Sequence, residues 1–140
     1  MAQVAVELPA ALVPCVRETV LLQYRAALEA LHLAFGARGE AATSLDEARR
    51  GRDRLGRLDA LLAGVGWPDE SATRAVSLAG PVDVLRDALH GSLIDAGERL
   101  AVACGASWRG EASADSVRVA AGEVIALDRL LRELEASEGR

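Results

Sequence analysis

The chain has 140 residues, a length that fits one domain with a real core. Half of its residues are apolar but only five are aromatic or methionine, so the interior must be built from Leu, Val and Ala, which suits closely packed helices better than a β sandwich. All 16 basic residues are arginine, and a net charge of −5 gives no electrostatic footprint for nucleic acid or an anionic membrane surface.

Met1 and the residues up to Leu12 lack the basic start and cleavage site of a secretory signal, and no run approaches the roughly 18 apolar residues of a membrane span. A soluble protein made in the cytoplasm is expected. Cys15 and Cys104 match neither a zinc nor a dithiol spacing, and both read as small buried hydrophobes.

The first helix is expected from about Pro9 or Pro14 to Phe35, because Val13, Val16, Val20, Tyr24, Ala27, Leu31 and Ala34 fall on one face. Gly36 and Gly39 end it. Ser44, with Glu47 three residues on, forms a capping box for a second helix whose seam is Ala48, Gly51, Leu55, Leu58, Leu62 and Val65. Gly64, Gly66 and Pro68 stop that helix, and a connection over 66–80 follows, in which 72–78 is expected to form one or two helical turns.

Pro81 stands at the first position of a third helix, with Val82, Leu85, Leu89, Leu93, Ala96, Leu100 and Ala103 on one face and Gly105 at its end. Ser113 opens a fourth helix whose seam is Val117, Ala120, Val124, Leu127, Leu131 and Leu134.

The two halves coincide at a constant offset of 69 residues, from Val13 on Val82 through Leu31 on Leu100 and Ser44 on Ser113 to Leu62 on Leu131. Positions that packing does not demand coincide too, among them Arg17 with Arg86, Glu29 with Glu98 and Asp59 with Asp128. The expected fold is therefore all-α, an antiparallel four-helix bundle of two duplicated helical hairpins, about 9–66 and 81–137. Helices 1 and 3 should run roughly parallel, leaving Cys15 and Cys104 some 30 Å apart at about 1.5 Å per residue.

Both histidines follow a carboxylate by three residues: Glu29 with His32, and Asp87 with His90. Such spacing on a four-helix bundle resembles the di-iron carboxylate proteins, and would imply a metal site from Glu29, His32, Asp87 and His90. At about 100° per residue, however, Glu29 and His32 fall roughly opposite the core stripe, and Asp87 and His90 are turned well away from theirs. An exposed Arg25–Glu29 pair is the expectation that follows.

Arg25 with His32, and Arg86 with His90, resemble the Arg and His pair of HEPN ribonucleases, although only the first spacing fits. Such an enzyme needs the pair in a positive cleft, against the net acidity of this chain. No serine or cysteine has a histidine placed to activate it, and no glycine-rich loop follows a strand. The arginines from Arg49 to Arg57, interrupted by Asp53 and followed by Asp59, read as a solvated helix face.

Trp108-Arg109-Gly110, followed by Glu111-Ala112, lies in the turn between helices 3 and 4. It resembles the Trp-x-Gly turn of the WXG family, small proteins that leave actinobacterial cells by type VII secretion and pair as helical hairpins into four-helix bundles. The resemblance implies an exposed Trp108, a reversal permitted by Gly110, a protein partner, and export without a cleaved signal peptide. The first hairpin has Ala37, Arg38, Gly39, Glu40 and Ala41 at the corresponding turn and would resemble a partner subunit lacking the aromatic. The family's Tyr-x-x-x-Asp/Glu tail has no counterpart, since Val124 stands where a Tyr would precede Asp128. The expected function is that of a non-enzymatic interaction protein with no cofactor, binding a protein partner or a further copy of itself as a homo-oligomer.

Overall fold

The computed structural model describes residues 3–35, 45–65 and 74–138. The expected stop at Gly36 and Gly39, the Ser44 cap, the first hairpin's turn, and Gly66, Trp67 and Pro68 lie outside these residues.

Helices make up most of the described chain, as the Leu, Val and Ala composition requires, but they are joined by a small sheet that the helical reading did not contain. Strand β1, Gln3–Leu8, alternates: Val6 and Leu8 are buried, Val4 is half-buried, and Gln3, Ala5 and Glu7 face out. Strand β2, Val76–Pro81, does the same, with Leu78 and Gly80 buried and Ser77 and Ala79 exposed. Within 76–78 this period of two replaces the helical turns expected over 72–78, because burial alternates instead of recurring every three or four residues; residues 72 and 73 lie outside the described chain. The strands pair antiparallel, with Val6 opposite Leu78, Leu8 opposite Val76, and Glu7 opposite Ser77.

Each strand leads into a helical hairpin. After β1, a 3-10 turn over Ala10–Leu12 runs into α1, Val13–Phe35, which is followed by α2, Leu45–Val65. After β2, Pro81 is the N-cap rather than the first residue of α3, Val82–Trp108, whose helix continues through Gly105 instead of ending there. Helix α4, Ala114–Glu138, is opened by Ser113, whose hydroxyl accepts from the Ser116 N–H at 3.3 Å.

The buried side chains are largely those the helical periodicity selects. Val13, Val16, Val20 and Ala27 of α1, Ala48, Leu58, Leu62 and Val65 of α2, Leu85, Leu89 and Ala96 of α3, and Ala120, Leu127, Leu131 and Leu134 of α4 are all buried. Leu61 joins them, covered by Gly80 of the unforeseen strand: a Cβ on Gly80 would stand 3.6 Å from Leu61 Cδ2.

Within each hairpin the two helices pack on each other, and the hairpins meet where α1 lies on α3. Here the expected direction is corrected. Thr19 Oγ1 donates to Asp95 Oδ2 at 2.8 Å, and Gln23 Nε2 donates to the Asp87 carbonyl at 3.1 Å, so rising numbers on α1 meet falling numbers on α3. The helices are antiparallel. Their close approach depends on Gly91, where an added Cβ would lie 2.9 Å from both Gln23 Nε2 and Thr19 Cγ2.

The antiparallel crossing also removes the basis for placing the cysteines at opposite ends. Cys15 shares a groove with Arg99, Val102 and Ala103, the α3 segment just before Cys104. Both cysteines are free; Cys15 is buried as expected, whereas Cys104 is exposed. No described helix is long and apolar enough to cross a membrane.

Candidate functional site

The turn after α3 is built by backbone hydrogen bonds. The Gly110 N–H donates to the Ser107 carbonyl at 3.0 Å and the Glu111 N–H to the Ala106 carbonyl at 2.8 Å. With Gly110 at φ 76°, the only positive φ among the described residues, this is a Schellman ending. The left-handed conformation costs an L-residue roughly 1–2 kcal/mol, which glycine avoids.

Trp108 is the last residue of α3 and is 93% exposed. It does not cover the end of the core. An indole held in water forgoes about 4 kcal/mol of burial at roughly 25 cal/mol per Å², and it stands on a backbone whose conformation the turn bonds fix. Around it the turn is charged: Arg109 Nη2 meets Glu111 Oε2 at 3.2 Å.

The four residues of the metal reading do not converge. Glu29 and His32 are exposed on α1, and Asp87 and His90 are exposed on α3. Asp87 Oδ2 instead faces Arg54 Nη1 of α2 at 3.9 Å. No group of three or more His, Cys, Asp or Glu side chains among the described residues could hold a metal ion. The expected Arg25–Glu29 pair is not formed; both side chains stay solvated, consistent with the few tenths of a kcal/mol such a contact yields. Arg25 and His32 stand exposed on α1, while Arg86 is half-buried and His90 exposed.

A second feature escaped the periodicity. The small side chains Ala26, Ala27 and Ala30 of α1 and Gly51 of α2 leave a trough between these helices, with a cavity of about 460 Å³. It adjoins a second cavity, of about 210 Å³, between α2 and the start of α3, and Gln23 and Arg54 line both. The α2 wall of the smaller cavity carries Arg50, Arg54, Arg57 and Asp53, while the α3 wall carries Asp83 and Asp87. The arginine run read as a solvated face thus borders a cleft with acidic residues opposite. Arg57 Nη1 and Asp83 Oδ2 are 3.9 Å apart across it.

At the other side of α1, the Cys15 thiol lies on the floor of its groove beside the Arg99 guanidinium, whose Nη2 meets Glu123 Oε2 at 3.3 Å. Burial pushes the thiol above its ordinary pKa, and the neighbouring cation offsets part of that rise. The thiol is therefore protonated near neutrality and is not an activated nucleophile.

No protein-family model matches this chain, and no curated protein or solved structure does so either.

Proposed function

We propose that the chain is a non-enzymatic interaction protein that presents Trp108 to a protein partner, in the manner of the WXG-type, type VII secretion-associated helical hairpins. The observation that carries this reading is the exposure of Trp108 on the last turn of α3, beside a reversal that requires Gly110. A large apolar side chain kept in water on a rigid turn is what a recognition anchor looks like before its partner arrives.

The same reading includes an internal duplication and treats the four helices as one bundle. It is supported by the helix starts, since α1 and α3 begin at Val13 and Val82 and α2 and α4 at Leu45 and Ala114, both 69 residues apart. The strands pair symmetrically as well. The strands superpose at an offset of 70 residues, one more than the helices: laying Ala5, Val6, Glu7 and Leu8 on Ala75, Val76, Ser77 and Leu78 exchanges the pair Val6–Leu78 with the pair Val76–Leu8 and leaves Glu7–Ser77 in place, the pattern of a local twofold axis. Each repeat would then be a strand followed by a hairpin, and only the second carries the Trp. Synthesis in the cytoplasm followed by export without a cleaved signal belongs to the same proposal.

Trp108→Ala tests it. Truncating an exposed residue should change stability by no more than about 0.5 kcal/mol, leave the circular dichroism spectrum unchanged, and abolish a partner interaction or export seen for the wild type in the source cells. In a Trp67→Phe background, Trp108 should emit at long wavelength and be readily quenched. Unfolding on Trp108→Ala, or an unchanged set of partners together with unchanged export, would remove the reading.

A further inference from the structure

Helix α3 is apolar on two opposite faces. One carries Leu85, Leu89 and Ala96 into the core. At about 100° per residue the other carries Ile94, Gly97, Ala101, Cys104 and Trp108, in the alternation of three and four residues by which a helix presents a seam to a second helix. This second seam is bare. Ile94 is 50% and Trp108 93% exposed, Ala101 and Cys104 are exposed, and nothing stands within 4 Å of a Cβ added at Gly97. A packing seam left in water marks a place where another helix belongs.

The order of residues says which helix. A second copy of α3 laid antiparallel on the first, with Ala101 at a twofold axis, sets Ile94 opposite Trp108, Gly97 opposite Gly105, and Ala101 opposite itself. Bulk stands at both ends and small residues in the middle, so the backbones can approach to the near end of the roughly 8–10 Å range for packed helices. Each indole then gains an apolar cover. The charges fit the same register. Glu98 is exposed and makes no ion pair among the described residues, and it falls beside Gly105 of the second copy, where Arg109 Nη1 lies 3.4 Å from the place of a Cβ. The contact between Glu98 and Arg109 forms twice by symmetry. A parallel pairing would instead oppose Glu98 to Glu98 and crowd Trp108 on Trp108.

We propose that the outer face of α3 is a homodimer interface, on which two copies pair antiparallel along Ile94, Gly97, Ala101, Cys104 and Trp108 with Ala101 at the twofold axis. This rests on the reading of Trp108 as an interaction residue and names a second copy of the chain as its cover.

The test is sedimentation equilibrium of the full-length protein in a Trp67→Phe background, from about 1 μM to about 1 mM. Monomer should pass to dimer across this range, and the Trp108 emission should move to shorter wavelength as it does. Ala101→Glu sets two carboxylates at the axis and should weaken association at least about tenfold, with the circular dichroism spectrum and thermal midpoint of the dilute monomer unchanged. In a Cys104→Ser background, Ala101→Cys should give a disulfide-linked dimer on mild oxidation, because its two Cα atoms would lie within about 4–7 Å. Cys104 of the wild type stands about 9 Å along the axis from its copy and should not cross-link. A monomer at the highest concentration, a dimer that Ala101→Glu leaves intact, or cross-linking through Cys104 equal to that of Ala101→Cys would each overturn the pairing. None of these outcomes touches the reading of Trp108 as a recognition residue, which falls only if Trp108→Ala leaves partners and export unchanged or unfolds the chain.

Discussion

The Arg17 guanidinium, buried on α1, donates from both Nε and Nη2 to the Val65 carbonyl at the last residue of α2, at 3.3 and 3.0 Å. Carbonyls in the last turn of a helix have no partner within it, so this side chain supplies the α2 terminus with a charged cap from the neighbouring helix. Replacing Arg17 by Met keeps the apolar stem and removes the donors. We expect a stability loss of about 2 kcal/mol from the carbonyl left unsatisfied, read from the midpoint of urea unfolding. Arg17→Lys, with a single ammonium instead of the fork, should recover less than half of it.

Two glycines of α3 make opposite predictions. At Gly91 a methyl group would press on Thr19 and Gln23, so Gly91→Ala should cost about 1–3 kcal/mol by forcing α1 and α3 apart. At Gly97 nothing stands within 4 Å of an added Cβ, and Gly97→Ala should stabilise the helix by about 0.5–1 kcal/mol. Equal effects of the two substitutions in denaturant titrations would contradict the crossing described for these helices.

Gly110 sets a third expectation. Its φ of 76° strains any L-residue, so Gly110→Ala should lose about 1 kcal/mol and Gly110→Asn less, because Asn tolerates that conformation best among the other residues. Thermal unfolding of the three proteins side by side would rank them, and Asn falling below Ala would contradict the conformation.

The Cys15 thiol gives a dependence on pH. Its folded-state pKa lies above the ordinary value, with burial as the main cause and Arg99 acting against it, so in alkaline solution the unfolded chain releases this proton before the folded chain does. Stability is unaffected by this group below about pH 8.5 and falls as pH rises from there through the folded value. Cys15→Ala should flatten that part of the curve of stability against pH. Parallel alkaline slopes in wild type and variant would show that the decline has another origin.

Much of the helical core was legible because Leu, Val and Ala recur every three or four residues in long runs, a signal that neighbours do not disturb. Val16, Leu62, Leu89 and Leu127 were placed this way, and all four are buried. The strands were not legible. Six residues carry little periodicity, and the stretch from Val76 to Pro81 reads as strand only once its partner, some 70 residues away, supplies the ladder. The direction of α1 relative to α3 was misjudged for a related reason, since seams show which face is buried but not which way the covering helix runs. At the candidate site, the Trp-x-Gly pattern located the turn, while the cleft beside α2 depends on the absence of bulk at Ala26, Ala30 and Gly51, and small residues leave no positive mark on a sequence.

The pairing of Leu8 with Val76 and of Val6 with Leu78 bears on how the molecule is made. A ribosome releases β1 and the first hairpin long before β2 exists, at roughly 5–20 residues per second, so β1 waits on the order of several seconds for its partner. During that interval α2 lacks the cover of β2, which packs on it, and the nascent first half carries an open strand edge and a bare apolar face. The final assembly is thus deferred to the second half of translation, and the nascent first half is the form most in need of a chaperone.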